Sequence, residues 1–189
     1  MTKEFLILQL NNIKNAKREN RLRVANLVIE NKELFKYLLE IVFDVDNKTS
    51  IKAAWVLEFV LAEKLDWLAS HLNYFTKNIS NVKFDSAVRP ISKICEFLAK
   101  AYTSNNDSII KAEIDSTHIE KIIETGFDWL IGEQKVAVKA YTMEMLFLFG
   151  KKEGWIHQEL QLILQQNIVN ESAAYKARGK KILSWINKK

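Results

Sequence analysis

The sequence predicts an all-α fold, a two-layer stack of about five helical hairpins, and three observations carry that prediction. Five glycines and one proline in 189 residues fall far below the average usage of about 7% and about 5%, and these are the residues that punctuate strands and turns. Helix-period apolar patterns run almost end to end, broken only at short polar signals. A basic residue followed by a small or cyclic one returns at Arg23-Val24, Lys52-Ala53, Arg89-Pro90, Lys139-Ala140 and Lys176-Ala177, at offsets of 29, 37, 50 and 37 residues. That is the period of helical-hairpin repeats.

The breaks lie at Asn31, DVDNKTS (44–50), NISNVKFD (78–85), TSNNDS (103–108), Gly132, KKEG (151–154) and Asn170-Glu171, which delimits about eleven helices. Connections this short join antiparallel neighbours. The first segment, MTKEFLILQLNNIKNAKREN, has Glu4 before its apolar run and Asn11-Asn12 after it, which fits neither a signal peptide nor a membrane span. IKAAWVLEFVLA (51–62) carries only Lys52 and Glu58 as charges, and VAVKAYTMEMLFLF (136–149) only Lys139 and Glu144. Helices apolar nearly all round must be covered on several sides, so these two belong to an inner layer. KELFKYLLEIVF, KLDWLASHLNYF and HQELQLILQQNI show one apolar stripe and one polar face, as an outer layer requires. The weakly apolar stretch 103–117 reads as a loop or insertion lengthening the third repeat, and the whole chain, 1–189, is expected to form one domain.

Composition limits function. The net charge is +5 and the isoelectric point near 9.1, but 23 acidic residues are interspersed with 28 basic ones, so the surface is mixed rather than uniformly cationic. The single Cys95 cannot form an internal disulfide, and a cytoplasmic, reducing location is the plain expectation. His71, His118 and His157 are isolated, with no HxxxH or HxxE pattern, so a helix-borne zinc site lacks ligands at the required spacing. No glycine-rich phosphate cradle and no GxSxG occur. No catalytic, cofactor-binding or metal-binding residues and no cofactor are therefore expected. Of the five tryptophans, Trp55 and Trp185 read as core, and Trp67, Trp129 and Trp155 as rings sealing gaps between neighbouring outer helices.

Asp85-Ser86-Ala87-Val88-Arg89 resembles the aspartate and valine-arginine pattern that opens the second helix of HEAT repeats. Ala137-Val138-Lys139 and Ala174-Tyr175-Lys176 are degraded copies. The resemblance implies a right-handed α-α superhelix of HEAT or ARM type whose inner helices line a concave face. The chain is also similar to a group of short bacterial HEAT-like proteins, some of which carry the adenylosuccinate lyase label. That label directs attention to ESAAYKAR (171–178), where Ser172, Tyr175 and Lys176 imitate part of a lyase catalytic loop. No methionine, proline or asparagine follows in place. Tyr175, Gly179, Ile182, Leu183 and Ile186 fall on one helical face, so the stretch reads as the first turns of the last inner helix.

The ladder Arg23, Lys52, Arg89, Lys139 and Lys176 is the feature with most functional content. Its residues either pair with acids in adjacent turns, such as Asp46, Asp85, Glu133 and Glu171, holding neighbouring repeats in register, or face an anionic partner. The register role is the expectation. It makes the chain a non-catalytic scaffold that presents its concave surface to a protein or peptide, as a monomer or weak dimer with no membrane role. The alternatives are a nucleic-acid surface, since a HEAT-like family of alkylpurine DNA glycosylases uses a concave surface of this kind, and, remotely, a lyase by label alone. Pro90 follows Arg89 inside a predicted helix, where it costs a backbone hydrogen bond and favours a kink.

Overall fold

The computed structural model describes residues 1–188. Eleven α-helices occur among them: α1 (Lys3–Asn11), α2 (Arg18–Glu30), α3 (Leu34–Val42), α4 (Thr49–Glu63), α5 (Leu72–Asn78), α6 (Asp85–Thr103), α7 (Ile109–Glu113), α8 (Ser116–Ile131), α9 (Val136–Phe149), α10 (Gly154–Asn167) and α11 (Ala173–Ile186). None of the described residues adopts a positive φ, so the connections demand no left-handed glycine and the scarcity of glycine is no handicap. No helix among them is long and apolar enough to cross a membrane.

The chain divides into two compact units, Met1–Ile94 and Cys95–Lys189, with the division inside α6. In the first unit α4 packs against α1, α2 and α3 and buries Ala53, Ala54, Val56, Leu57, Val60 and Leu61. In the second, α9 packs against α8, α10 and α11 and buries Val138, Met143, Met145, Leu146 and Phe149. The two helices with apolar residues nearly all round are thus the ones with neighbours on several sides, as expected of an inner layer. The amphipathic α3, α8 and α10 pack on them from one side.

Two segments differ from the sequence reading. KLDWLASHLNYF is not one helix: a 3₁₀ segment, Leu65–His71, precedes α5. In this segment Leu68 is in the core while Trp67 and His71 both contact the Phe35 ring, with centroids 5.6 Å apart in each case. Residues 103–117 are not a plain loop, because they contain α7. Ser108 caps it, its hydroxyl accepting from Lys111 N–H, and Ile110 and Ile114 anchor it in the core.

Pro90 lies in the sixth position of α6, within the helix rather than at its first residue. Lacking an N–H, it cannot bond the Ser86 carbonyl four residues back. The Trp55 indole N–H donates to that carbonyl instead, at 2.9 Å.

Candidate functional site

The basic ladder sits on α2, α4, α6, α9 and α11, and the structure treats its members differently. Arg23 donates to Gln9 Oε1 at 2.9 Å, and Lys52 Nζ to the Asn11 carbonyl at 2.9 Å. Both acceptors are neutral. Arg89 reaches back one hairpin to Glu58 Oε2 at 2.7 Å. Lys139, only 8% exposed, donates to Glu171 Oε1 at 2.7 Å and lies 5.6 Å from the Tyr175 ring centroid. Lys176 is half-buried and has no side-chain hydrogen bond or ion pair among the described residues. Of the acids expected as partners, Glu171 takes Lys139, while Asp46 takes Lys83 at 2.7 Å rather than a ladder residue.

A second charge network escaped the sequence reading. In the second unit, Glu144 of α9 accepts from Lys100 of α6 at 3.0 Å and from Arg178 of α11 at 2.6 Å. Lys100 also bonds Glu96, whose side chain is almost fully buried. Burial pushes the Glu144 carboxyl up, but the hydrogen bond from Lys100 and the charges of Lys100 and Arg178 outweigh it and hold the group below its ordinary range. Burial pulls the Lys100 ammonium down, and the two glutamates more than offset it, so the net shift is upward. The i,i+4 spacing of Glu96 and Lys100 was the only part of this network visible in the sequence.

The ESAAYKAR stretch is the start of α11. Ser172 is its N-cap, its hydroxyl accepting from Tyr175 N–H at 3.3 Å, and Tyr175, Gly179, Ile182 and Ile186 are buried. Leu183, expected on the same face, is half-buried, and the serine is occupied with capping.

The histidines fill structural positions. His118 completes a capping box at the start of α8: its Nδ1 accepts from Asp115 N–H at 3.2 Å while the Asp115 carboxylate caps His118 N–H at 3.0 Å. His157 is buried, stacks on Phe147 with centroids 5.2 Å apart and bonds the Phe147 carbonyl through Nε2 at 2.8 Å. His71 lines a cleft of about 220 Å³ with Lys36, Glu40 and Tyr74. Burial, reinforced by the charge of Lys36, lowers its pKa, and Glu40 in the same cleft is already held by Lys3 at 2.9 Å. A general base needs an orienting partner, and His71 has no hydrogen bond among the described residues. Cys95 is fully buried, and burial pushes its thiol well above the ordinary range, which removes its nucleophilic form.

The tryptophans follow the sequence reading in part. Trp129 is buried and Trp67 packs on Phe35. Trp55 and Trp185, expected in the core, are half-buried: Trp55 reaches the Ser86 carbonyl and Trp185 lies beside Phe147 and Lys181. Trp155 is 53% exposed, stacked on Phe127, at the rim of a cavity of about 320 Å³ lined by Tyr102, Ile119, Phe149, Glu120 and Glu153 among others. No three His, Cys, Asp or Glu side chains among the described residues are grouped to hold a metal ion.

Against known families, a HEAT repeat domain model matches residues 12–186. No curated protein and no solved structure matches the chain.

Proposed function

Because the chain belongs to the HEAT repeat family, we propose that it is a non-catalytic interaction module, a single-domain helical-repeat scaffold whose inner-helix surface takes a protein or peptide partner. One observation carries this reading. Three inner-helix cations are bound to carboxylates in neighbouring hairpins: Arg89 to Glu58 across 31 residues, Lys139 to Glu171 across 32 and Arg178 to Glu144 across 34. A cation committed to a carboxylate in the next repeat sets register and is not free to serve a phosphate. A cytoplasmic location, no membrane role and a monomeric or weakly dimeric state complete the proposal.

The nucleic-acid alternative draws on charge distribution. Residues 1–94 hold 15 Lys and Arg against 11 Asp and Glu, and residues 95–189 hold 13 against 12. Phosphate-driven binding is strong at low salt and falls steeply with salt, so fluorescent single- and double-stranded DNA and RNA at about 50 and about 200 mM salt distinguish the two. The scaffold reading predicts no tight binding at either concentration. Tight, salt-sensitive binding that is lost in the double variant Arg23→Glu, Lys176→Glu overturns it. These two residues have no carboxylate partners among the described residues, so reversing them breaks no ion pair.

A further inference from the structure

Two arginines of α2 lie on one ring of α4. Arg18 and Arg21 are three residues apart and share a helix face, and their Cζ atoms lie 5.7 and 5.0 Å from the Phe59 ring centroid. Neither guanidinium forms an ion pair among the described residues, and Arg21 Nε is buried with no hydrogen-bond partner. The adjacent carboxylate, Glu58, is bonded to Arg89 at 2.7 Å. Burial foremost, and the charges of Arg89 and Arg18 against the pull of Glu58, lower the Arg21 pKa. Glu58, the carboxylate that pulls on Arg21, is thus already engaged by Arg89. Arg23 and Lys52, bonded only to neutral acceptors, add two further uncompensated charges on the same two helices.

A partly desolvated donor without an acceptor, inside a set of like charges, is stabilised by an added anion. Guanidinium forks match oxyanions with two oxygens, and stacking on an aromatic face pre-orients the forks. We propose that the Arg18, Arg21 and Phe59 cluster is the docking site for a carboxylate-rich segment of a protein partner. This rests on the reading of the chain as an interaction module and names the chemistry that module takes.

A short acidic segment fits better than a nucleic-acid backbone. Arg18 and Arg21 rise about 4.5 Å apart along the helix, a distance that two carboxylates on one short segment can span. A phosphate backbone draws its affinity from a track of about 6–10 contacts. In the second unit Lys100, Lys139 and Arg178 are already bonded to carboxylates, whereas Arg18 and Arg21 form no ion pair among the described residues.

The test is fluorescence anisotropy of the full chain with three labelled probes: a peptide alternating glutamate and alanine, its glutamine counterpart, and an oligothymidylate of matched charge. The glutamate peptide is expected to bind, to weaken between about 50 and about 150 mM salt, and to lose about tenfold in affinity in the Arg18→Gln, Arg21→Gln variant. Arg18→Gln alone, at an exposed position, and Phe59→Leu each weaken binding as well, with thermal unfolding confirming that the variants fold. Peptide binding that is absent, or indifferent to these substitutions, overturns the site. So does oligothymidylate binding more tightly than the peptide. If neither anion binds, the arginine site falls alone and the module reading stands. If the oligonucleotide binds through Arg23 and Lys176, the module reading falls with it.

Discussion

The Trp55 indole N–H supplies the hydrogen bond that Pro90 cannot give to the Ser86 carbonyl. A helix-interior proline leaves an orphan acceptor and usually a kink. Here the acceptor is answered from the preceding inner helix, so the defect in α6 becomes a fastening to α4.

A double-mutant cycle tests that relationship. Trp55→Phe removes the donor and is expected to destabilise the protein by about 1 kcal/mol. Pro90→Ala restores the helix's own donor, and in that background the cost of Trp55→Phe should shrink to little more than the change in ring size. Equal costs in the two backgrounds would show that the carbonyl does not depend on Trp55.

Glu144 is expected to contribute to the acid limb of stability in the second unit. Its folded pKa lies below the ordinary value of 4.5, so its contribution is complete above that value and is lost as pH falls through the folded pKa. Denaturant unfolding should therefore show stability falling below about pH 4.5, and Glu144→Gln should flatten this limb while costing about 1–3 kcal/mol at neutral pH through the Lys100 and Arg178 charges it leaves behind. An acid limb unchanged by the substitution would assign the pH dependence to other carboxylates.

The two buried glycines Gly126 and Gly150 should respond oppositely to alanine. A Cβ at Gly150 overlaps the His157 ring, which is fixed between Phe147 and the Phe147 carbonyl, so Gly150→Ala should cost about 1–3 kcal/mol by overpacking. At Gly126 the obstacle is the terminal methyl of Met145, a flexible group that can move aside. The gain in helix propensity of about 1 kcal/mol then makes Gly126→Ala neutral or stabilising. Thermal unfolding of the two variants side by side checks the contrast.

Cys95 should behave as a core side chain. It is fully buried with a raised pKa, so an aromatic disulfide reagent at neutral pH should leave it unmodified in the native protein and react fully in denaturant. Rapid native labelling would place the thiol at the surface.

The fold was legible because period and composition are local properties. Lys52 and Glu58 as the only charges of 51–62, and the repeated basic-small pair, were enough to identify α4 and the hairpin order. The site was legible only as residue types. Glu171 was expected among acids in adjacent turns, and it goes instead to Lys139, one hairpin away. Arg89 draws on Glu58, and Asp46 goes to Lys83, because which acid a long side chain reaches depends on helix crossing rather than spacing. Arg18 and Arg21 gave no signal, since their stacking on Phe59 is a contact between helices at residues outside the repeated pair. The 3₁₀ winding of Leu65–His71 was hidden for a related reason: an apolar stripe over seven residues fits both helical periods.

The measurement that bears most directly on the central claim is a double-mutant cycle on Lys139 and Glu171, with Lys139→Met, Glu171→Gln and the pair compared by denaturant unfolding. If the ladder fastens repeats, this nearly buried pair couples by about 1–3 kcal/mol, well above the value of about 0.2–1 kcal/mol typical of exposed pairs. Coupling near zero, with both single variants as stable as the parent, would contradict the account and free the ladder for a ligand.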